Sequence, residues 1–158
     1  EPTGMAIEDA LDFGPFARIV AAGHVLPIPP GFGQNPASLL AGLRALREGR
    51  ILSINPDGEM SWDGAPAPHK QGAAWLALRS GAPLVPIVAS KGAYEIWPRW
   101  AERPHLSGHL VVRIGEPFVI PGSPVERPDQ ETIARATDLI VRRMNALIYG
   151  DSDVIRNT

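Results

Sequence analysis

The sequence predicts an α/β fold with a single mixed, partly parallel sheet that is flanked by helices. Two observations predict this class: short apolar segments alternate with amphipathic helical segments, and turn residues separate most of them. The chain has 158 residues, of which 44% are hydrophobic and 20% charged, with 16 glycines and 17 prolines. We interpret residues 1–158 as one domain, because a chain of this length buries roughly two thirds of its unfolded surface and no long linker or repeat divides it.

The first quarter of the chain is predicted to hold two short helices and a strand. An apolar stretch from Met5 to Gly23 is broken by Gly14-Pro15, and this pair separates two helices because proline disrupts a helix interior. Residues 24–28 then form a short apolar segment that predicts a strand, and Pro29-Pro30-Gly31 ends it.

A helix and a second strand follow. Asn35 and Pro36 begin the helix, as an N-cap side chain and a proline at the first helical position, and Gly49 ends it. The leucines at positions 39, 40, 43 and 46 lie on one face of this helix. Residues 51–54 predict a buried strand that leads into a loop rich in turn residues.

The next elements are a helix of small and apolar residues and two strands. The helix covers Gly72 to Ser80 and ends at Gly81. Residues 84–89 predict a strand in which Pro86 indicates an edge position or a bulge, and residues 110–114 predict another.

The chain closes with an amphipathic helix. Asp129 is its predicted N-cap, and apolar residues recur behind it at helical spacing. Arg142 and Arg143 are expected near its C-terminal end, where the helix dipole favours cations.

Composition excludes several classes of site. The chain contains no cysteine, which excludes disulfides and thiolate metal sites, and its net charge of −2 lacks the positive excess of a nucleic-acid binder. No apolar run reaches the roughly 18 residues of a membrane-spanning helix. The histidines are scattered, and Gly108 between His105 and His109 disfavours a helical zinc site. We therefore expect no metal, no bound cofactor and no nucleic-acid partner.

The most unusual loop is the run from Asn55 to Ser61, directly after the predicted strand 51–54. Ligands of α/β sheets bind in loops at the carboxyl ends of strands, and this loop combines two carboxylates, a hydroxyl and backbone amides. The alternative is an ordinary turn built on Asp57-Gly58.

A strand, a Pro-acid-Gly turn, a Lys-x-Gly and a small-residue helix follow one another in this region. In this order and spacing, residues 23–92 resemble the glycerophospholipid acyltransferase family, whose third block runs through Phe-Pro-Glu-Gly-Thr-Arg-Ser to Lys-x-Gly. Residues 81–87 are similar to the family's fourth block. The matching positions are Pro56, Gly58, Ser61, Lys70 and Gly72, with Asp57 in place of the family's acid.

The resemblance implies an O-acyltransferase of phospholipid biosynthesis, cytoplasmic and peripheral on the inner face of the membrane. Such an enzyme moves an acyl group from acyl-CoA or acyl carrier protein to a hydroxyl of a glycerolipid-like acceptor. Glu59 occupies the family's threonine position and inherits no role from it. The candidate acceptor-binding residues are Pro56, Asp57, Gly58, Glu59, Ser61 and Lys70.

The family's catalytic His-x-x-x-x-Asp signature is absent, because no histidine of this chain has an aspartate five residues later. In the family the histidine takes the acceptor's proton and the aspartate orients the imidazole. Spacing leads us to expect this pair upstream of Glu1, which makes the chain the C-terminal portion of the domain. We assign no catalytic residue within it, and the alternative is a relative that binds lipid or a partner without catalysis.

The acceptor site departs from the family as well. The two arginines that hold the acceptor's phosphate are replaced by the Pro29-Pro30 region and by Met60. Because arginine binds phosphate bidentately, their loss predicts an atypical acceptor, either a less anionic lipid or another alcohol. Lys70, Arg50 and the backbone amides of the Asp57-Gly58 loop remain as groups that could bind an anion, so phosphate is only disfavoured.

Aromatic and cationic residues alternate between Tyr94 and Arg103. Trp97, Arg99 and Trp100 suit contact with a membrane interface, which a lipid-modifying enzyme must reach. The alternative is a loop that anchors its tryptophans in the core.

Overall fold

Five strands and three helices form the part of the protein that the computed structural model describes, namely residues 2–7, 26–28, 36–56, 69–91 and 111–149. In chain order they are β1 Pro2–Ile7, β2 Leu26–Ile28, α1 Pro36–Arg47, β3 Ile51–Ser53, α2 Gly72–Ser80, β4 Ile87–Lys91, β5 Val111–Ile114 and α3 Gln130–Tyr149.

The strands form one parallel and one antiparallel group. β1 lies between β2 and β3 and runs parallel to both, with Met5 opposite Leu26. β4 and β5 pair antiparallel, with Ile87 opposite Ile114. Helices and partly parallel strands confirm the predicted α/β class. Within the described ranges, the two kinds of pairing belong to separate hydrogen-bonded sheets.

The prediction of a helix from Met5 onward is wrong for its first three residues, which form part of a strand. Met5, Ala6 and Ile7 belong to β1 and pair in register with residues 26–28. Pairing with a strand that follows much later in the chain overrides the helical pattern, because strand formation depends on neighbours more than on local propensity. The remainder of the two predicted helices lies outside the described residues.

Helix α1 has the predicted bounds. It begins at Pro36, and Gly49 follows its end with a φ of 75°. The helix packs against β2, β3 and α2. Its leucine face is divided, because Leu43 is buried whereas Leu40 is 54% exposed.

Helices α2 and α3 build the main core. Leu78 of α2 is fully buried, and three alanines of the same helix pack with Ala136 and Ile140 of α3 and with Ile120. Small residues on α2 allow the close approach of the two helices. The core therefore fixes the orientation of α2 relative to α3.

The ends of α2 and α3 confirm the predicted capping. Gly81 ends α2 with a φ of 68°, and its N–H donates to the carbonyl of Ala77. The carboxylate of Asp129 accepts a hydrogen bond of 2.7 Å from the N–H of Thr132. The predicted dipole role of Arg142 and Arg143 is wrong, because α3 continues to Tyr149 and its last turn holds no basic residue. The guanidinium of Arg143 instead lies over the ring of Phe118 at 5.3 Å.

Two strands differ from their predicted form. The strand at 51–53 is not buried, since Ile51 is 69% exposed. The strand predicted from Leu84 begins only at Ile87, and Leu84 forms an isolated bridge with Phe118. Pro86 separates the bridge from β4 because it has no N–H to donate. The irregularity in the pairing lies further on, between Ala89 and Lys91.

Candidate functional site

A groove of about 810 Å³ opens where the N-terminal ends of α1, α2 and α3 meet. Each helix contributes its first turns: Pro36 begins α1, Gly72 begins α2 and Gln130 begins α3. Pro56, three residues beyond the carboxyl end of β3, accepts a backbone hydrogen bond from Lys70 of the groove. The carboxyl ends of strands are where ligands bind in α/β sheets. The groove is therefore the candidate site in the described part of the protein.

One wall of the groove is apolar. Leu39 and Leu40 line it from α1, Trp75 from α2 and Ile133 from α3. Leu39 also lies against the start of α2, because a Cβ atom added at Gly72 would lie 3.3 Å from its Cδ2 atom. Glycine at this position therefore allows the two helix ends to come close.

The guanidinium group of Arg79, on the same helix, packs over the ring of Trp75. The guanidinium carbon of Arg79 lies 5.7 Å from the ring centroid, within the range of a cation–π contact. The two residues are one turn apart, so the helix itself brings them together. This contact restricts the orientation of the indole that lines the groove.

The other wall of the groove is polar and starts at Lys70. The N–H of Lys70 donates a hydrogen bond of 2.7 Å to the carbonyl of Pro56. Gln71 occupies the N-cap position of α2 but makes no side-chain capping bond. Its side-chain oxygen instead accepts a hydrogen bond of 2.9 Å from Gln130. This bond links the starts of α2 and α3 at the rim of the groove.

The described residues of the lining carry a positive charge. Lys70 contributes an ammonium group, and none of the described lining residues is a carboxylate. The first N–H groups of α2 have no acceptor within their own helix and carry the positive end of its dipole. An anion is therefore favoured at this end of the groove.

The structure brings together two of the predicted acceptor-binding residues. Pro56 and Lys70 are joined by their backbone bond, and Lys70 lines the groove. The other predicted acceptor-binding residues and the predicted membrane-contact residues lie outside the described ranges. They are Asp57, Gly58, Glu59 and Ser61 in the first group and Trp97, Arg99 and Trp100 in the second.

Sequence reasoning missed the apolar wall and the glutamine bridge. The leucine pattern predicts a helix face that includes Leu39 and Leu40, but it does not distinguish a groove from a core. Gln71 and Gln130 are 59 residues apart, so no local pattern relates them. Among the described residues, no group of three or more potential ligands could hold a metal ion, and no helix has the length and apolarity to cross a membrane.

A scan against protein-family models finds no match. The 1-acyl-sn-glycerol-3-phosphate acyltransferase of Bacillus subtilis (strain 168) is 29% identical over 127 residues, which are 78% of this chain and 57% of that protein. This similarity supports the resemblance of the chain to the glycerophospholipid acyltransferase family.

A solved structure has the same fold as this chain. The crystal structure of the 1-acyl-sn-glycerophosphate (LPA) acyltransferase PlsC from Thermotoga maritima matches 99% of this chain with a TM-score of 0.70 and 16% identity. The match covers 58% of that structure, so the chain spans less than three fifths of either relative.

Proposed function

We propose that this chain is part of an O-acyltransferase that moves an acyl group from an acyl-CoA or acyl carrier protein thioester to a hydroxyl of a glycerolipid-like acceptor. The named activity of the Bacillus subtilis relative supports the reaction class. The observation that carries the proposal is the bond between Lys70 and Pro56, which holds two positions of the family's third block together beside an apolar groove.

In this reaction the acceptor's oxygen attacks the carbonyl carbon of the thioester, the C–S bond breaks and the thiol leaves. A base removes the proton of the acceptor's hydroxyl. None of the described residues is proposed as this base. Lys70 and the start of α2 would bind the acceptor's head group, because both favour negative charge. Acceptor binding is thus the role of the described residues.

We propose further that the acceptor is less anionic than lysophosphatidate. Met60 and the Pro29-Pro30 region stand where the family has its phosphate-binding arginines. Lysine is a point charge and lacks the planar fork that binds a phosphate dianion through two parallel bonds. Lys70 is therefore suited to a head group with a single negative charge.

The proposed location is the cytoplasmic side of the membrane, with peripheral contact at the inner face. The acceptor and product of the proposed reaction are lipids, so the enzyme has to meet a bilayer surface. Trp97, Arg99 and Trp100 provide the combination of aromatic rings and cations that suits this interface.

Acyl transfer by the full-length protein tests the proposal. The acceptors are lysophosphatidate, lysophosphatidylglycerol and monoacylglycerol in liposomes, with labelled acyl-CoA or acyl carrier protein as donor. We expect labelled diacyl product without a preference for lysophosphatidate. We expect Lys70→Gln to raise the KM for lysophosphatidylglycerol more than the KM for monoacylglycerol, because only the first carries a charge.

Two outcomes would contradict parts of this proposal. A strong preference for lysophosphatidate would refute the atypical acceptor and leave the reaction class intact. Lipid binding without any acyl transfer would instead support a non-catalytic relative of the family.

A further inference from the structure

We propose that Gln130 is a positioning residue of the acyltransferase, which acts through Gln71 to hold the Lys-x-Gly segment, residues 70–72, in place for the acceptor. This role rests on the proposed function, whereas the contact itself belongs to the fold. The side-chain amide of Gln130 donates a hydrogen bond of 2.9 Å to the side-chain oxygen of Gln71. The bond joins the first residue of α3 to the residue before α2.

Two backbone bonds also hold the Lys-x-Gly segment. The N–H of Lys70 donates a hydrogen bond of 2.7 Å to the carbonyl of Pro56, just beyond β3. The carbonyl of Gln71 accepts a bond of 2.9 Å from the N–H of Trp75, in the first turn of α2. Neither bond involves α3, so the bond from Gln130 adds an attachment to a different element.

The side chain of Gln71 can make this bond because it does not cap its own helix. Gln71 occupies the N-cap position of α2 with a φ of −81° and a ψ of −2°, and its side chain makes no capping bond. An N-cap residue ordinarily has an extended backbone, and its side-chain oxygen accepts from the N–H two or three residues later. The side chain at the start of α2 is therefore bound to α3 instead.

The donor on α3 is held by the cap of its own helix. The carboxylate of Asp129 accepts a bond of 2.7 Å from the N–H of Thr132, and its carbonyl accepts one of 3.0 Å from the N–H of Ile133. Gln130 lies within this capped turn, and Ala136 packs against α2 further along the helix. A well-anchored donor on α3 thus fixes a side chain of α2 that has no capping role.

The exposure of this bond makes its effect on the reaction separable from its effect on stability. The bond lies at the exposed rim of the groove, where a hydrogen bond adds little to the stability of a fold. A displacement of about 1 Å in a substrate-positioning segment can nevertheless lower the rate about a hundredfold. Loss of the bond should therefore change the kinetics more than the melting temperature.

Kinetics of the full-length protein test the role. The acceptor is the one that the wild type uses fastest among lysophosphatidate, lysophosphatidylglycerol and monoacylglycerol. We expect Gln130→Ala to raise the KM for this acceptor about tenfold and to leave the KM for the acyl donor unchanged. The Tm should fall by less than about 4 °C.

Glu131→Ala is the matched control. It removes an exposed bond of 3.0 Å from the same turn, but this bond goes to Arg135 and stays within α3. We expect both KM values to remain those of the wild type. Equal effects of Gln130→Ala and Glu131→Ala on the acceptor KM would overturn the proposal.

A double-mutant cycle shows whether Gln130 acts through Gln71. Gln71→Ala should raise the acceptor KM as Gln130→Ala does. The double variant should be no worse than either single variant, because the same bond is lost in all three. Effects that multiply in the double variant would mean that Gln130 does not act through Gln71.

Amide hydrogen exchange separates this proposal from the proposed function. The bond to Pro56 protects the N–H of Lys70, and we expect Gln130→Ala, but not Glu131→Ala, to speed its exchange. A wild type without acyl transfer would refute the enzyme. Faster exchange in Gln130→Ala would then still support its hold on the segment, and unchanged exchange would overturn it. Acyl transfer with an acceptor KM that Gln130→Ala leaves unchanged would refute the positioning role alone.

Discussion

Gly49 and Gly81 end their helices in the same left-handed conformation but in different surroundings. Their φ angles are 75° and 68°. A Cβ atom at Gly49 would meet nothing within 4 Å, whereas one at Gly81 would lie 3.2 Å from the Cδ atom of Pro124. Comparing alanine substitutions at the two positions therefore separates the cost of the left-handed backbone from the cost of a steric contact.

We expect Gly49→Ala to lower the free energy of unfolding by about 1 kcal/mol, through the left-handed conformation alone. Gly81→Ala should lower it more, because the methyl group also displaces Pro124. Urea unfolding of both variants, followed by circular dichroism, measures the difference. Equal losses would show that Pro124 moves away without cost.

At the same scale, the site could be predicted only where its residues are close in sequence. Lys70 belongs to a recognisable Lys-x-Gly, and the run from Asn55 to Ser61 is unusual in composition. Trp75, Ile133 and Gln130 could not be assigned, because their role depends on how α2 and α3 pack against each other. A sequence pattern shows that a side chain is apolar but not which surface of the fold it faces.

Among the elements, helix ends were predictable and strands were less so. Pro36, Gly81 and Asp129 act within one turn of their own position, so their chemistry can be recognised locally. Met5 and Ile51 belong to strands whose partners lie tens of residues away. Their pairing and exposure depend on the assembled sheet, which no window of the sequence contains.

The cap of α3 predicts how stability responds to pH. Hydrogen bonds from the hydroxyl and the N–H of Thr132 lower the pKa of Asp129 from its ordinary value of 3.8. A carboxylate whose pKa is lower in the folded state stabilises the fold above its unfolded pKa, and this contribution is lost as the pH falls through the folded value. The cap is thus pH-sensitive below about 3.8.

We expect Asp129→Asn to keep most of the stability at pH 7, since asparagine is also a good N-cap, and Asp129→Ala to lower the Tm. As the pH falls below 3.8, the wild type should lose stability relative to Asp129→Asn. Thermal unfolding between pH 7 and pH 3 measures both effects. A constant difference in Tm between the wild type and Asp129→Asn would contradict the assigned cap.

For the molecule as a whole, burial is unevenly distributed. The core lies between α2 and α3, and the same packing brings their N-terminal ends together at the groove. In the pair β4–β5, strand β4 packs against α3 on one side. The other side of the pair exposes apolar side chains, although a solvated face of an antiparallel sheet is usually polar. The exposed members are Ile87, Val112 and Ile114.

Two valines of this sheet provide a matched test of the two faces. Val88 is 6% exposed and lies opposite Arg113, whereas Val112 is 51% exposed and lies opposite Ala89. Directly opposed residues of antiparallel strands share a face, and successive residues alternate between faces. Val88 and Val112 therefore lie on opposite faces of the same two strands.

We expect Val88→Thr to lower the free energy of unfolding by about 1–3 kcal/mol, because it places a hydroxyl in the packed interior beside α3. Val112→Thr should change it by less than about 0.5 kcal/mol, since both residues are β-branched and the site is exposed. Urea unfolding of this chain and its two variants, with m compared as well as the midpoint, measures both effects. A loss in Val112→Thr as large as that in Val88→Thr would mean that the outer face is packed in solution, because only a buried site distinguishes a hydroxyl from a methyl group so strongly.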